Sequence, residues 1–300
     1  MLWNLAYPEK DRLLDYFNDI WQSGCLPEAW LMAVVVPVLK PRKFAKALTS
    51  YRPVSLTSVA CSVFECGALV RLEWIARALD FSEHQTGFRR HRCTADSIAD
   101  VVRSLEDARG SGEVALLVLL DVESALDGLR YPVIERSLDD LGVTGCVRRF
   151  VTAFLTGRGS RIRPEPFLFN LALASLPSAI TADLRHRVYI SVYADDVALW
   201  TRSPARSLPA VRSCLQRALD EVVSYFQAVG LSVSSTMTQA LLVHPSVALR
   251  RRAVSMELGG SRIPWKQAVT YLGLLSLLKC SRSKRRMAVC SSEAEDHPST

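Results

Sequence analysis

Asp195 and Asp196 stand side by side behind Tyr193 and Ala194, between two apolar runs, Val188 to Val192 and Val197 to Trp200. Two like charges at the mouth of apolar strands are costly unless a cation sits between them or solvent reaches them. A metal ion removes that cost. Asp121 supplies another carboxylate at the end of a separate apolar run, Val114 to Leu120, and if the two strands pair in one sheet the acids converge. Such a set suits two divalent ions, which at roughly 3.5–4 Å apart activate a 3′-hydroxyl, stabilise in-line attack on a phosphate and carry the leaving pyrophosphate. The competing reading is a plain hairpin turn. Asp is an ordinary turn residue, and an aromatic-x-Asp-Asp tetrad occurs by chance in roughly one chain in ten of this size.

The elements that must position these acids follow from periodicity. Val114 to Leu120 follows a Gly-Ser-Gly turn signal, is too short for a persuasive helix, and reads as a buried strand with Asp121 at its mouth. Val188 to Trp200 reads as strand, acidic turn, strand. Leu208 to Val229 is the most strongly periodic helix: Val211, Cys214, Leu215, Leu219, Val222 and Phe226 share one face and Gly230 closes it. Upstream, Lys10 to Trp21 is an amphipathic helix with Gly24 as its stop, and Ala33 to Leu39 is a valine-rich strand that, given Pro37, lies at an edge or ends early. A basic loop is expected over 41–52, then helices over 57–79, 98–105, 133–141 and 147–155. Ala240 to Val243 and Val269 to Leu275 read as further strands. The basic, then polar, stretch after Leu275 lacks periodicity and is expected to be disordered.

Composition narrows the class. The 300 residues are 49% hydrophobic, enough for a sizeable core, and the net charge of +7 favours polyanionic partners. The longest apolar runs fall short of the roughly 20 residues of a membrane span, and no secretory signal pattern opens the chain. The 8 cysteines form no C-x-x-C pair, so they read as reduced thiols, and His91 with Cys93 is an incidental H-x-C.

Read together, the segments resemble, over about residues 15 to 275, the reverse transcriptases of non-LTR (LINE-type) retrotransposons. Ser50-Tyr51-Arg52-Pro53-Val54-Ser55-Leu56, led in by Pro37 to Pro41, looks like that family's fingers motif, and His84-Gln85-Thr86-Gly87-Phe88-Arg89 like its next fingers block. Leu120-Asp121 through Asp127 resembles the first palm motif and Tyr193 to Asp196 the catalytic turn. Ala228 to Thr238 is similar to the segment after the long palm helix, and Val269-Thr270-Tyr271-Leu272-Gly273 to the primer grip. The resemblance implies an α+β right-hand polymerase fold: fingers over 1–112, palm over 113–275, a tail over 276–300, and a thumb absent or incomplete. It implies RNA-directed DNA polymerase activity on an RNA template and a DNA primer with deoxynucleoside triphosphates, in an intracellular protein, nuclear and cytoplasmic. Asp121, Asp195 and Asp196 would be the catalytic ligands of two Mg²⁺ ions, with Mn²⁺ as a substitute. Lys40, Lys43 and Arg52 would reach the triphosphate, Leu126 would lie against the sugar, and Arg89 and Arg90 would touch the template backbone.

Several positions depart from that family. Between Gly159 and Phe167, where it carries a Pro-Gln-Gly segment supporting base and template, this chain reads Ser160-Arg161-Ile162-Arg163-Pro164-Glu165-Pro166. Leu126 replaces an aromatic residue, and Met237 a lysine near the leaving pyrophosphate, where methionine offers neither proton nor charge. These departures set a second expectation beside the first: a catalytically dead remnant that binds RNA or DNA without sequence preference.

Overall fold

The computed structural model describes residues 4–32, 34–39, 44–45, 50–76, 82–89, 91–123, 125–157, 166–181, 186–277 and 288–291. The first stretch carries α1 (Tyr7–Ser23), the single turn α2 (Glu28–Leu31), β1 (Val34–Leu39), β2 (Tyr51–Leu56) and α3 (Val59–Ala76). Next come α4 (Thr94–Gly110), β3 (Glu113–Glu123) and α5 (Ala125–Gly128), then α6 (Tyr131–Asp140), α7 (Gly145–Gly157) and α8 (Pro166–Ala172). The last stretch holds β4 (Val188–Tyr193), β5 (Asp196–Pro204), α9 (Leu208–Ala228), β6 (Ser232–Val233), β7 (Gln239–Val243) and α10 (Val247–Arg252). It ends with β8 (Met256–Leu258), β9 (Ser261–Ile263), β10 (Trp265–Lys266), β11 (Ala268–Tyr271), β12 (Leu274–Leu277) and β13 (Ala288–Ser291). This is a mixed α+β chain, and no described helix is long and apolar enough to cross a membrane.

Two compact units result, each assembled from two stretches: Met1–Asp80 with Leu129–Leu171, and Phe81–Gly128 with Ala172–Thr300. The chain enters each unit twice. The first unit is built on aromatic side chains. Phe64 of α3 lies 5.0 Å from Phe150 of α7 and 5.5 Å from both Phe17 and Trp30, and the Arg71 guanidinium covers the Trp21 ring at 4.6 Å. β1 and β2 form an antiparallel two-stranded ribbon with Pro37 opposite Pro53, and Arg52 falls within β2, opposite Val38, rather than in the expected loop. A ribbon edge needs no N–H from either proline, which explains why both are tolerated.

The second unit is a sheet in the order β10-β7-β3-β5-β4, with β6 joining the end of β3. Its central strand β3 is the continuous apolar run, buried from Val114 to Leu120 because helices cover both faces. On one face Ile98, Val101, Leu105 and Ala108 of α4 pack on Ala115, Leu117 and Leu119 of β3, Ala198 and Trp200 of β5, and Tyr271. α9 packs against β5 and β3 with none of its residues in that cluster, so it covers the other face with Val211, Leu215, Leu219, Val222 and Phe226. α9 ends where Gly230 was expected to stop it: Gly230 has φ 86°, its N–H donates to Gln227 O, and the Leu231 N–H donates to Phe226 O at 2.8 Å. The Val269 to Leu275 stretch is a hairpin, β11 to β12, turning at Leu272 and Gly273, both at positive φ. β13 adds to β12 in a region expected to lack regular structure, while residues 278–287 and 292–300 lie outside those described.

Candidate active site

β3 and β5 pair antiparallel in a register that sets Asp121 directly opposite Asp196. Side chains opposite one another in a ladder project to the same face about 5 Å apart at Cβ, so two carboxylates are brought together there. β4 and β5 close the hairpin with Tyr193 opposite Asp196, leaving Ala194 and Asp195 as a two-residue turn. Ala194 adopts φ 55° and Asp195 does not share the positive φ, the sign pattern of a type II′ turn, which normally has glycine first. Asp195 is exposed; Asp121 and Asp196 are half-buried.

Charge repulsion shows in the protonation behaviour. Burial, then the neighbouring Asp195 and Asp121, push the Asp196 carboxyl up to about 6. Burial, then Asp195 and Glu123, raise Asp121 as well. The acids therefore sense one another, and a cation between them would relieve the repulsion. Among the described residues no group of three or more His, Cys, Asp or Glu side chains is already placed to hold a metal ion. The cluster is an open set of hard oxygen donors.

Two further segments frame it. The Ser234 N–H donates to the Asp121 carbonyl at 2.9 Å and β6 pairs with Val122 and Glu123, which ties the chain after α9 to the acidic end of β3. Met237 follows in a turn held by the Ser234 hydroxyl and is 60% exposed, so neither burial nor packing dictates its identity. Behind the acids the buried Tyr271 hydroxyl donates to Ser191 Oγ at 3.4 Å, and burial, with a smaller contribution from Asp196, pushes its phenol up to about 12 against the lowering effect of the Ser191 hydrogen bond.

Of the other expected site residues, Lys40, Lys43 and Arg90 lie outside the described residues, as does the departing stretch from Ser160 to Glu165. Arg52 and Leu126 are placed by backbone only, in β2 and α5. Arg89, expected on the template, turns its guanidinium inward to donate to Ser82 O at 3.0 Å and Gln85 O at 2.9 Å. Cys93 serves the start of α4: its N–H donates to the Asp96 carboxylate at 2.8 Å in a capping box. Sequence reasoning missed Glu123, whose charge bears on Asp121, and the role of Tyr271 beneath the acids. For Glu123 a signal existed, since it lies two residues beyond Asp121 and so shares its face of the strand.

Residues 38–275, well over half of the chain, match the family of reverse transcriptases (RNA-dependent DNA polymerases). The chain is 25% identical over 297 residues to the RNA-directed DNA polymerase from mobile element jockey of Drosophila funebris, and 26% identical over 285 residues to its counterpart in Drosophila melanogaster. Each match covers 86% of this chain and 30% of the relative, so the chain spans under a third of those proteins. A probable RNA-directed DNA polymerase from transposon X-element of Drosophila melanogaster is 34% identical over 112 residues, 37% of this chain and 12% of the relative. With the family match extending over residues 38–275, the chain belongs to the reverse transcriptase family.

Proposed function

We propose that this chain is the fingers and palm portion of the reverse transcriptase of a non-LTR retrotransposon. In that reading it transfers deoxynucleotides to a primer 3′-hydroxyl on an RNA template. The observation that carries it is the Asp121 and Asp196 pairing beside the Asp195 turn. Divalent ions bound there supply the electrophilic chemistry of nucleotidyl transfer. Mg²⁺ suits the open donor set, because it keeps several waters and is commonly held by one or two carboxylates together with substrate phosphates. The residues of this chain would do the rest. Asp121 and Asp196 hold their carboxylates on one face, Asp195 presents its own at the solvent side, and Lys40, Lys43 and Arg52 attract the triphosphate. Arg90 remains a template contact in this reading, whereas the inward bonds of Arg89 favour a role in its own loop.

A second reading is a palm that binds nucleic acid without turnover. It is favoured by the exposed Met237 where the resemblance expects a lysine. Mg²⁺-dependent extension of a DNA primer on an RNA template, beside an Asp195→Asn, Asp196→Asn double variant, separates the two. Extension by the parent alone supports the polymerase. No extension by either, with RNA binding retained, leaves the binding remnant.

A further inference from the structure

We infer that the segment 82–89 is a seat for the Tyr193 to Asp196 turn and that Gly87 is a positioning residue for its carboxylates. The inference rests on the polymerase reading for its catalytic meaning. β4 is the last strand of the sheet, and at Val192 its outer edge is taken up by this segment in a parallel bridge with Gln85. The Val192 N–H donates to His84 O at 2.7 Å, and the Val192 carbonyl accepts the Thr86 N–H at 2.9 Å and the Gly87 N–H at 3.4 Å. Gln85, Thr86 and Gly87 are buried. Thr86 is tied by its hydroxyl to Ser97 of α4, and Arg89 fastens the two carbonyls of Ser82 and Gln85.

Gly87 stands where the seat meets the turn. A Cβ there would come within 2.3 Å of Ala194 N, 3.0 Å of the Tyr193 carbonyl carbon and 3.1 Å of Tyr193 Cα. All three are backbone atoms, so no flexible side chain can swing away. Gly87 is not among the residues at positive φ, so glycine is required for its missing side chain rather than for its conformation. Any side chain at 87 must therefore push the turn outward, and with it Asp195 and Asp196, relative to Asp121 on the neighbouring strand. A displacement near 1 Å of a reacting group costs about a hundredfold in rate.

The test compares Gly87→Ala with Gly110→Ala, a site where an added Cβ meets nothing within 4 Å. Three quantities are read on the full chain: kcat and KM for primer extension, Mn²⁺ affinity with the metal alone, and amide hydrogen exchange over residues 188 to 200. We expect Gly87→Ala to lower kcat about a hundredfold with KM for template and primer little changed, to weaken Mn²⁺ binding, and to speed exchange at 192 to 196 only. Behaviour matching Gly110→Ala in all three overturns the inference. Should Gly87→Ala fold poorly, the double variant Gly87→Ala, Ala194→Gly gives the turn backbone freedom to yield. Recovery of Mn²⁺ affinity supports the seat, and a double variant as defective as the single one overturns it. If the parent binds Mn²⁺ no better than the Asp195→Asn, Asp196→Asn variant, the polymerase reading fails by itself, and the exchange comparison still decides the seat.

Discussion

Asp196 joins the ordinary chemistry of a carboxylate to an unusual place. Its pKa of about 6, against 3.8 for the free group, means that the folded state prefers the neutral form. Stability from this group is present in full below the ordinary value and is lost as pH rises through about 6. In metal-free protein at pH 8, Asp196→Asn should therefore raise stability by roughly 1–2 kcal/mol after allowance for solvent at the open side of the site. That corresponds to a gain of about 2–6 °C in Tm by calorimetry, vanishing near pH 4. The same proton competes with metal. Mn²⁺ affinity of the parent should fall as pH drops through about 6, approaching tenfold per pH unit below it for one displaced proton. A profile that stays flat down to pH 5 would remove Asp196 from the ligand set. Both acids and their adjacency were legible in the sequence, as was the turn. Glu123 could have been read from its spacing two residues beyond Asp121 on the same strand, whereas the bearing of Tyr271 could not, because an electrostatic neighbour on another strand is identified by distance across a sheet.

At the scale of elements, apolar period located α9, β3 and the β4 to β5 hairpin, since each has a face or a run that water must not reach. Gly230 illustrates the gain from a single residue: its αL conformation makes two terminal bonds possible. Gly230→Ala should cost about 1–2 kcal/mol in urea unfolding without altering the cooperativity. Leu219, wholly buried on α9, should cost about 2–5 kcal/mol when cut to alanine, because a cavity remains under the sheet. α3 shows where period fails. It buries Cys61, Phe64, Ala68, Leu72 and Ala76 along one face yet leaves Val59, Val63, Val70 and Trp74 exposed, so its apolar residues run all round and the sequence pattern does not mark the face that is buried. Arg52 was placed in a loop by its basic neighbours, whereas pairing with Val38 puts it in a strand. Hydrogen bonding to a partner overrode the local signal.

For the whole molecule, a net charge of +7 spread over 300 residues is a modest field, one that should favour polyanions without reading their sequence. If about four phosphates are neutralised, affinity for single-stranded RNA should drop roughly 50-fold between 50 and 200 mM salt, as fluorescence anisotropy would show. Affinity indifferent to salt would exclude the electrostatic account.

By itself the sequence determined the α+β class, the strands carrying acids at their mouths, the helix stops at Gly24 and Gly230, and the ordered blocks by which the family resemblance was read. Those are local properties, set by apolar period, turn chemistry and residue type within a short window. Tertiary structure alone decided that Asp121 faces Asp196, because a slip of one residue in that register would send one acid to the opposite side of the sheet. It alone decided that Arg89 turns onto its own loop and that Gly87 lies beneath Ala194. Contacts between residues far apart in the chain depend on how strands pair and how closely backbones approach, and neither quantity is written in any single stretch of chain.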